Sequence, residues 1–253
     1  MDRLAFNAAA AINEQRLARQ MITHELANVS TVGFKRSYEV AMSTIKVEGS
    51  GLATRMQPQA ISKDIIELRP GAVMTTGRNL DVAMNEESVL GVTAPNGQLA
   101  FTRRGDLQVN SAGVLQDALK HVVRGEGGGP ITVPPGMMIN INPDGNIYAA
   151  DPGQTGAVQQ TLIGRLLLRD ASTTQLERRD DGLFGPMGKL GADVTGGPKL
   201  PSLTAGALEG SNVNAMMAMV KLMDQSRSFE HQVRNIKESK NADEAGATML
   251  KLN

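Results

Sequence analysis

The chain has 253 residues, 41% of them hydrophobic, so it can bury the core of one large domain or of two ordinary ones. Lys plus Arg balances Asp plus Glu at 26 each, and aromatic residues make up only 3%, so neither a basic field nor stacking platforms favour a nucleic-acid partner. The absence of Cys excludes disulfides, thiolate zinc sites and cysteine nucleophiles.

The first 32 residues contain neither Gly nor Pro and predict an uninterrupted helix. Small and apolar residues recur along it at alternating spacings of four and three, which is typical of a helix with one apolar face. This stripe consists of Leu4, Ala8, Ala11, Ala18 and Ile22. Asn7 interrupts the only leader-like run, and no stretch approaches the roughly 18 apolar residues of a membrane span. We therefore expect neither a conventional signal peptide nor membrane insertion.

The middle of the chain predicts β-structure. Residues 37–70 are polar and weakly periodic, which favours an extended or mobile linker. From residue 71 to residue 205, short alternating apolar runs are separated by turn residues, which predicts a mostly antiparallel β-rich domain. We expect hairpin turns at residues 95–97, 111–113 and 143–146, and a further strand over residues 161–168.

Residues 211–245 again lack Gly and Pro and predict a C-terminal helix. Its apolar positions follow a heptad pattern. The seam consists of Ala215, Met219, Leu222, Ser226, Phe229, Val233 and Ile236. Ser211 or Asn212 can cap its first turn. Two helices at opposite chain ends most simply bury their apolar faces against each other or against other molecules, so the pattern indicates assembly.

Segments that imitate chemical motifs each lack a defining residue. Residues 24–28 read HELAN, which places Asn28 where a zinc-protease helix needs its second histidine. Residues 140–151 approach an EF-hand loop, but the Pro-Gly pairs on both sides favour a hairpin. The glycine-rich residues 125–130 and 185–189 lack the features of a phosphate loop. We therefore predict no catalytic residue, metal ligand, cofactor or small-molecule substrate, and we do not expect an enzyme.

Four segments carry a family resemblance. Residues 26–35 read LANVSTVGFK and closely resemble the signature near the amino terminus of bacterial flagellar axial proteins, the rod and hook subunits. Residues 206–214, GALEGSNVN, resemble the start of the family's terminal helix, and residues 71–83 and 101–107 resemble its central segments. The opening residues 1–4 and the length resemble the proximal-rod branch more than the distal-rod branch.

The chain departs from the family pattern at two places. The family usually carries two asparagines where His24 and Glu25 stand, a change that places a chargeable pair in an assembly helix. It usually carries a Gly-Phe-Phe run where residues 87–90 read ESVL. The second departure leaves the exact branch open.

The resemblance implies an α+β fold in which long N- and C-terminal helices pair in one layer around an inserted, mostly antiparallel β-rich domain. The implied segments are an assembly helix and turn over residues 1–36, the linker over residues 37–70, the β-rich domain over residues 71–205, and a second assembly helix over residues 206–253.

The resemblance also implies a function. The chain is expected to be a structural subunit of the proximal rod in the flagellar basal body, joined head-to-tail to copies of itself and to other rod proteins, and transmitting torque across the periplasm. The flagellar export apparatus is expected to secrete it unfolded, without a cleaved signal peptide. The expected assembly residues are Leu4, Ala8, Ala11, Ala18, Ile22, Asn28, Gly33, Phe34, Asn212, Met219, Leu222, Phe229, Val233 and Ile236.

Three alternatives stay open. The nearest is a distal-rod or hook-type axial subunit. A secreted β-rich binding module would need a ligand pocket or a carbohydrate-binding face. A hydrolase would need an acid–base pair clustered in a pocket.

Overall fold

The computed structural model of the protein describes residues 2–37, 42–46, 56–60, 64–153 and 160–251. The side chains of residues 2–10, 14, 42–46, 56–60, 239, 243, 250 and 251 lie outside this description. The chain forms two compact units: unit 1 comprises residues 1–27, 39–63 and 214–253, and unit 2 comprises residues 28–38 and 64–213. The predicted α+β class, with an antiparallel β-rich unit and a C-terminal helix, is confirmed.

Unit 1 contains two helices and one β-hairpin. Helix α1 spans Asp2–Ala27, strand β1 spans Met42–Lys46, strand β2 spans Met56–Ala60, and helix α2 spans Ala215–Lys251. The helices contact each other, and the Gln15 side-chain amide donates a hydrogen bond of 2.6 Å to the Ser228 hydroxyl.

Helix α2 is capped by Asn214, and not by Ser211 or Asn212 as predicted. The Asn214 Oδ1 atom accepts a hydrogen bond of 3.0 Å from the backbone N–H of Met217. The Ser211 hydroxyl accepts instead from the Val213 N–H, and the Asn212 amide is engaged inside unit 2. The cap therefore falls on the residue directly before the first helical turn.

Part of the predicted linker over residues 37–70 is folded. Strands β1 and β2 pair antiparallel, and Pro58 fits because a two-stranded hairpin leaves one backbone edge of each strand unpaired. Further on, Ile66 is buried in unit 2, where its N–H donates to the Leu176 carbonyl at 3.0 Å. The polar composition concealed these elements because it lacks the apolar alternation by which a strand is predicted. Residues 38–41, 47–55 and 61–63 lie outside the described residues.

Unit 2 is built from short strands, and every pairing among the described ones is antiparallel. The strands are β3 Val73–Thr75, β4 Val82–Met84, β5 Ser88–Thr93, β6 Leu99–Thr102, β7 Leu107–Val109, β8 Leu115–Asp117, β9 Val122–Val123, β10 Met138–Ile141, β11 Asn146–Ala150, β12 Thr161–Arg165, β13 Leu168–Asp170, β14 Leu176–Arg178, β15 Phe184–Pro186, β16 Leu203–Ala205 and β17 Ala207–Glu209.

The main sheet has the order β14-β15-β6-β5-β9-β8-β7, and β13 also pairs with β5. The remaining strands form a three-stranded sheet, β10-β11-β12, and the pairs β16-β4 and β17-β3. Strand β5 lies at the centre of unit 2: Leu90 and Val92 enter one apolar cluster while Val89 enters a second. Because both of its faces are buried, this strand reads as a continuous apolar run and not as an alternating one.

The predicted hairpins are confirmed. Residues 95–97 connect β5 to β6, residues 111–113 lie between β7 and β8, and residues 143–145 connect β10 to β11. The pairing of Ile141 with Ile147 shows that the segment resembling an EF-hand is a hairpin. The strand predicted over residues 161–168 is divided into β12 and β13, because the chain leaves one sheet for another where Leu166 and Leu167 are both buried.

Gly33 lies where two stretches of backbone meet. Its φ is +68°, and its N–H donates to the Glu209 carbonyl at 2.7 Å. A Cβ atom at this position would lie 2.5 Å from the carbonyl carbon and oxygen of Arg103. Only glycine fits, because both the dihedral angle and the contact exclude a side chain.

The contribution of this contact can be isolated with two alanine substitutions. Gly97 has a φ of +79°, but a Cβ atom there would meet open space. Gly97→Ala should therefore cost about 1 kcal/mol of unfolding free energy, from the dihedral angle alone. Gly33→Ala should cost about 3 kcal/mol or more, because the backbone of Arg103 must also move. Urea unfolding of the two variants measures the difference, and equal costs would contradict the close approach.

Candidate functional site

Three charged side chains form a buried ion cluster in unit 2. Lys35, Arg103 and Glu209 each have 0% relative exposure. The Lys35 Nζ lies 2.6 Å from Glu209 Oε1, and the Arg103 guanidinium places Nε 2.7 Å from Oε2 and Nη2 2.8 Å from Oε1. One carboxylate therefore accepts a bidentate arginine contact and a lysine contact at the same time.

The polar atoms of the buried ion cluster are also bonded to backbone. Arg103 donates to the carbonyls of Met84, Glu86 and Ser88 at 2.8, 2.5 and 2.9 Å. Lys35 donates to the Arg69 carbonyl at 3.0 Å, and the N–H of Gly71 donates to Glu209 Oε1 at 2.9 Å. The cluster thereby connects backbone segments that are far apart in sequence, and its charges are not left without hydrogen bonds.

Burial perturbs the protonation of Lys35. Loss of solvation lowers the pKa of its ammonium most, and the neighbouring Arg103 guanidinium lowers it further. Glu209 opposes both influences, and the resulting pKa is about 8 instead of 10.5.

Gly33 and Phe34, which were predicted to be assembly residues, are buried inside unit 2. The Arg178 guanidinium lies over the Phe34 ring, 4.6 Å from its centroid, and Arg178 also binds Asp64. As buried residues these two stabilise the unit from within. The resemblance placed them correctly in a motif, but a motif does not distinguish a core residue from a surface residue.

Asn212 and Asn28 were also predicted to be assembly residues. Their side chains form hydrogen bonds with other residues of unit 2. Asn212 accepts a hydrogen bond of 2.7 Å from the Arg36 N–H and donates to the carbonyls of Glu67 and Arg69 at 2.9 and 3.1 Å. Its side chain thus bridges three segments of unit 2. The Asn28 carbonyl and Oδ1 both accept from Thr31 at 3.1 Å and close the turn that follows α1.

The residues of the predicted α2 seam differ in how exposed their side chains are. Leu222 and Ile236 are half-buried, whereas Met219, Phe229 and Val233 are 49%, 44% and 45% exposed. Over residues 215–236, the buried and half-buried side chains are those of Ala215, Ala218, Lys221, Leu222, Gln225, Ser226, Gln232 and Ile236. The less exposed side of α2 therefore includes two glutamines beside its apolar residues. On α1, Ala11, Ala18 and Ile22 are half-buried, and the side chains of Leu4 and Ala8 lie outside the description.

The inner side of the helix pair is partly polar. A cleft of about 260 Å³ in unit 1 is lined by Ile12, Gln15, Arg16, Arg19, Gln225 and Phe229.

An apolar ridge lies exposed at the start of α2. We name it the methionine ridge: Met216, Met219, Val220 and Met223, which are 49–74% exposed. These spacings of three and four place the side chains on one face of the helix. Exposed apolar patches are common at interaction sites, and the flexible thioether of methionine can adapt to surfaces of different shape.

Unit 2 holds a cleft of about 730 Å³ beside β10, lined by Leu80, Val109, Val133, Met137 and neighbouring residues. Its lining includes Arg78 but neither an acid nor a histidine, so it offers no acid–base pair. Among the described residues no group of three His, Cys, Asp or Glu side chains is placed to hold a metal ion. Neither helix, over its described length, contains an apolar stretch suited to crossing a membrane.

The buried ion cluster was not predicted. One signal for it was present, since Lys35, Arg103 and Glu209 are charged residues inside three of the segments that carry the resemblance. No pattern in the sequence indicated that these three side chains contact one another.

Comparisons with known proteins match two family models and several relatives. The model described as flagellar basal body rod FlgEFG protein C-terminal matches residues 204–249, and the model described as flagellar hook protein FlgE/F/G D1 domain matches residues 83–149. The chain is 39% identical to the flagellar basal-body rod protein FlgF of Escherichia coli strain K12 and 38% identical to that of Salmonella typhimurium, with 93% of each chain covered. It is 29% identical to the rod protein FlgG of Buchnera aphidicola subsp. Acyrthosiphon pisum, over 90% of this chain and 92% of the relative.

Replacing the shared carboxylate tests the buried ion cluster. Glu209→Gln leaves two buried cations without a counter-charge and should cost about 3–5 kcal/mol of unfolding free energy. Glu126→Gln is the matched control, since Glu126 forms a largely exposed pair with Arg165 at 3.2 Å and its loss should cost at most about 1 kcal/mol. Urea unfolding measures both. A Glu209→Gln variant as stable as the control would contradict the role of the cluster.

The titration of Lys35 provides a second test. Nitrogen-detected NMR of the lysine side chain should give a midpoint near pH 8. Between pH 8 and 10.5 the unfolded chain binds more protons at this residue than the folded chain, so its contribution makes the unfolding free energy rise with pH in that window. Lys35→Met should lack this rise. A midpoint near 10.5, or equal pH slopes for the two proteins, would contradict the perturbed pKa.

Proposed function

The chain belongs to the flagellar basal-body rod protein family and is a structural subunit of the rod, most like FlgF, and from this we propose that it occupies the proximal rod and is held there by its two terminal helices. Its higher identity to the two FlgF proteins than to the FlgG protein supports the proximal over the distal position. A non-enzymatic role in the basal body follows from the same membership.

The methionine ridge carries the proposal about the helices. Its four side chains expose apolar surface to water at the start of α2, and Phe229 and Val233 extend exposed apolar surface further along the helix. Burying this surface against other subunits is favourable by about 25 cal/mol per Å². We propose that α1 and α2 form the layer in which neighbouring subunits meet, and that Met219, Leu222, Phe229, Val233 and Ile236 contact them there.

Unit 2 is the part of the subunit that bears the mechanical load of torque. Its short antiparallel strands enclose two apolar clusters, and the buried ion cluster ties strand β17 to the segments around residues 35 and 103. A close-packed interior transmits strain without large deformation. Head-to-tail contacts between such subunits do not close on themselves and so extend into an open helix, which suits a shaft that transmits torque.

We further propose that the partners are copies of this chain and other rod proteins, and that the flagellar export apparatus delivers it unfolded, without a cleaved leader, to a rod that spans the periplasm. Family membership supports the axial partners. The export route rests on the resemblance alone.

Charged substitutions in α2 test the proposal. Leu222→Glu and Phe229→Glu place a carboxylate where a neighbour is expected to exclude water, which should cost several kcal/mol per contact, about 3 or more. Both variants should abolish motility and rod assembly in a strain that lacks the native protein. Circular dichroism of the purified chain should show the β-signal of unit 2 unchanged.

Asn241→Glu is the control, because Asn241 is an exposed polar residue of the same helix. This variant should swim normally. Normal assembly of both Leu222→Glu and Phe229→Glu would rule out this stripe as an interface.

A further inference from the structure

One leucine of unit 2 projects almost wholly into solvent. Leu200 is 93% exposed, more than any other large apolar side chain among the described residues. It lies in the proline-flanked loop, residues 198–201, which read PKLP. Both prolines have a fixed φ angle, and Pro201 restricts the backbone of the leucine before it to extended conformations. A partner that binds this loop therefore has little conformational freedom to remove.

Buried polar groups hold both sides of the proline-flanked loop in place. The Lys199 N–H donates a hydrogen bond of 2.9 Å to Asp170 Oδ2, and Asp170 is only 3% exposed. The Ser202 N–H donates to the Ser88 hydroxyl at 3.2 Å, and the Ser202 carbonyl accepts from the Asn85 N–H at 2.9 Å. The loop therefore presents its leucine in a preorganised position, which lowers the entropic cost of a contact.

The proline-flanked loop and the cleft beside β10 lie at opposite ends of the strand pair β4-β16. In this antiparallel pair Leu203 is opposite Met84, and Ala205 is opposite Val82. The loop comes before Leu203 and so lies beyond the Met84 end of the pair. Leu80, which lines the cleft, comes before Val82 and lies beyond the other end. Unit 2 thus has an apolar projection at one end and an apolar cleft at the other.

The charges at these two places are opposite in sign. The cleft is lined by Arg78, which pairs with the buried Asp81 but is 51% exposed, and by no acid. Beside the loop, Glu86 is 63% exposed and its Oε2 atom lies 2.8 Å from Lys199 Nζ. The hydrogen bond with Glu86, and then the charges of Glu86 and Glu87, raise the pKa of the Lys199 ammonium. Two carboxylates therefore surround one cation at the loop, and complementary charges favour an encounter with the cationic cleft.

We propose that Leu200 of one subunit enters the cleft beside β10 of a second copy of this chain, so that the units 2 of neighbouring subunits join head-to-tail. The cleft of about 730 Å³ is lined by Leu80, Val109, Val133 and Met137, and it has room for the leucine and its flanking prolines. A projection and a cleft at opposite ends of one unit form a heterologous contact that propagates from copy to copy. This inference rests on the proposed function, because assembly in the rod is what brings the copies together.

Introduced thiols test this contact without background, because the native chain contains no Cys. Full-length Leu200→Cys and Val109→Cys variants are expressed together in a strain that lacks the native protein, and the isolated rods are oxidised. The mixture should yield a disulfide-linked dimer that joins position 200 of one copy to position 109 of the other, since a disulfide needs Cβ atoms about 4 Å apart. Mass spectrometry of the linked peptides identifies the two positions.

Leu119→Cys is the matched control, because Leu119 is a leucine of unit 2 that is 57% exposed and lies outside the proline-flanked loop. Expressed together with Val109→Cys, it should give no linked dimer.

A charge at the projection provides an independent readout. Leu200→Asp should lower the fraction of swimming cells at least about tenfold, because a carboxylate would have to enter an apolar cleft. Leu119→Asp should swim normally. The urea midpoint of Leu200→Asp should stay at the native value, since the exposed side chain contributes little to the core.

Rods that yield no dimer between positions 200 and 109 would overturn the inference, and so would full motility of Leu200→Asp. Loss of motility without the dimer would assign Leu200 to a different axial subunit and would also overturn it. The proposed function is judged separately: absence of the native chain from isolated rods would contradict that function, whereas rods that contain the native chain but give no dimer contradict only the contact between copies.

Discussion

Unit 2 depends on the ionic contacts that the Glu209 carboxylate makes with Lys35 and Arg103. This carboxylate is shared by two buried cations, and the Arg103 guanidinium also holds three backbone carbonyls of the segment from Met84 to Ser88. A buried ion pair contributes little net stability over well-packed apolar residues, but an unpaired member is very costly. The cluster therefore acts as a constraint: arrangements of these segments that leave Lys35 or Arg103 without the carboxylate are strongly disfavoured.

Glycines make the constraint possible by letting backbones approach closely around the cluster. A Cβ atom on Gly105 would lie 1.6 Å from the Val82 carbonyl oxygen, and one on Gly71 would lie 2.3 Å from that of Gly210. Gly33 allows a close approach of the same kind. Residues 33–35 of the signature can therefore be explained in physical terms. The glycine permits contact with the Arg103 backbone, the phenylalanine supports Arg178, and the lysine completes the charge arrangement.

Local features of the fold followed from the sequence, whereas long-range pairings did not. The hairpin turns around Gly97, Gly113 and Gly145 were predictable because turn residues act on their immediate neighbours. The pairing of Lys35 with Glu209 joins residues 174 positions apart, which no spacing encodes. An apolar pattern identifies the most hydrophobic stripe of α2, but it does not reveal that Gln225 and Gln232 are half-buried while Met219 and Val233 are exposed. The motif over residues 26–35 was recognisable in the sequence, but the burial of Gly33 and Phe34 in unit 2 was not predicted.

The position of Glu209 so late in the chain has a consequence for the order of folding. Arg103 precedes it by 106 residues, so both cations are synthesised long before the carboxylate that neutralises them. Closing such loops carries a large entropic cost, and the bonds that offset it form only at the end. A nascent or truncated polypeptide that stops short of this residue would have to bury two like charges together. The buried ion cluster can therefore form only in a polypeptide that has been synthesised as far as Glu209.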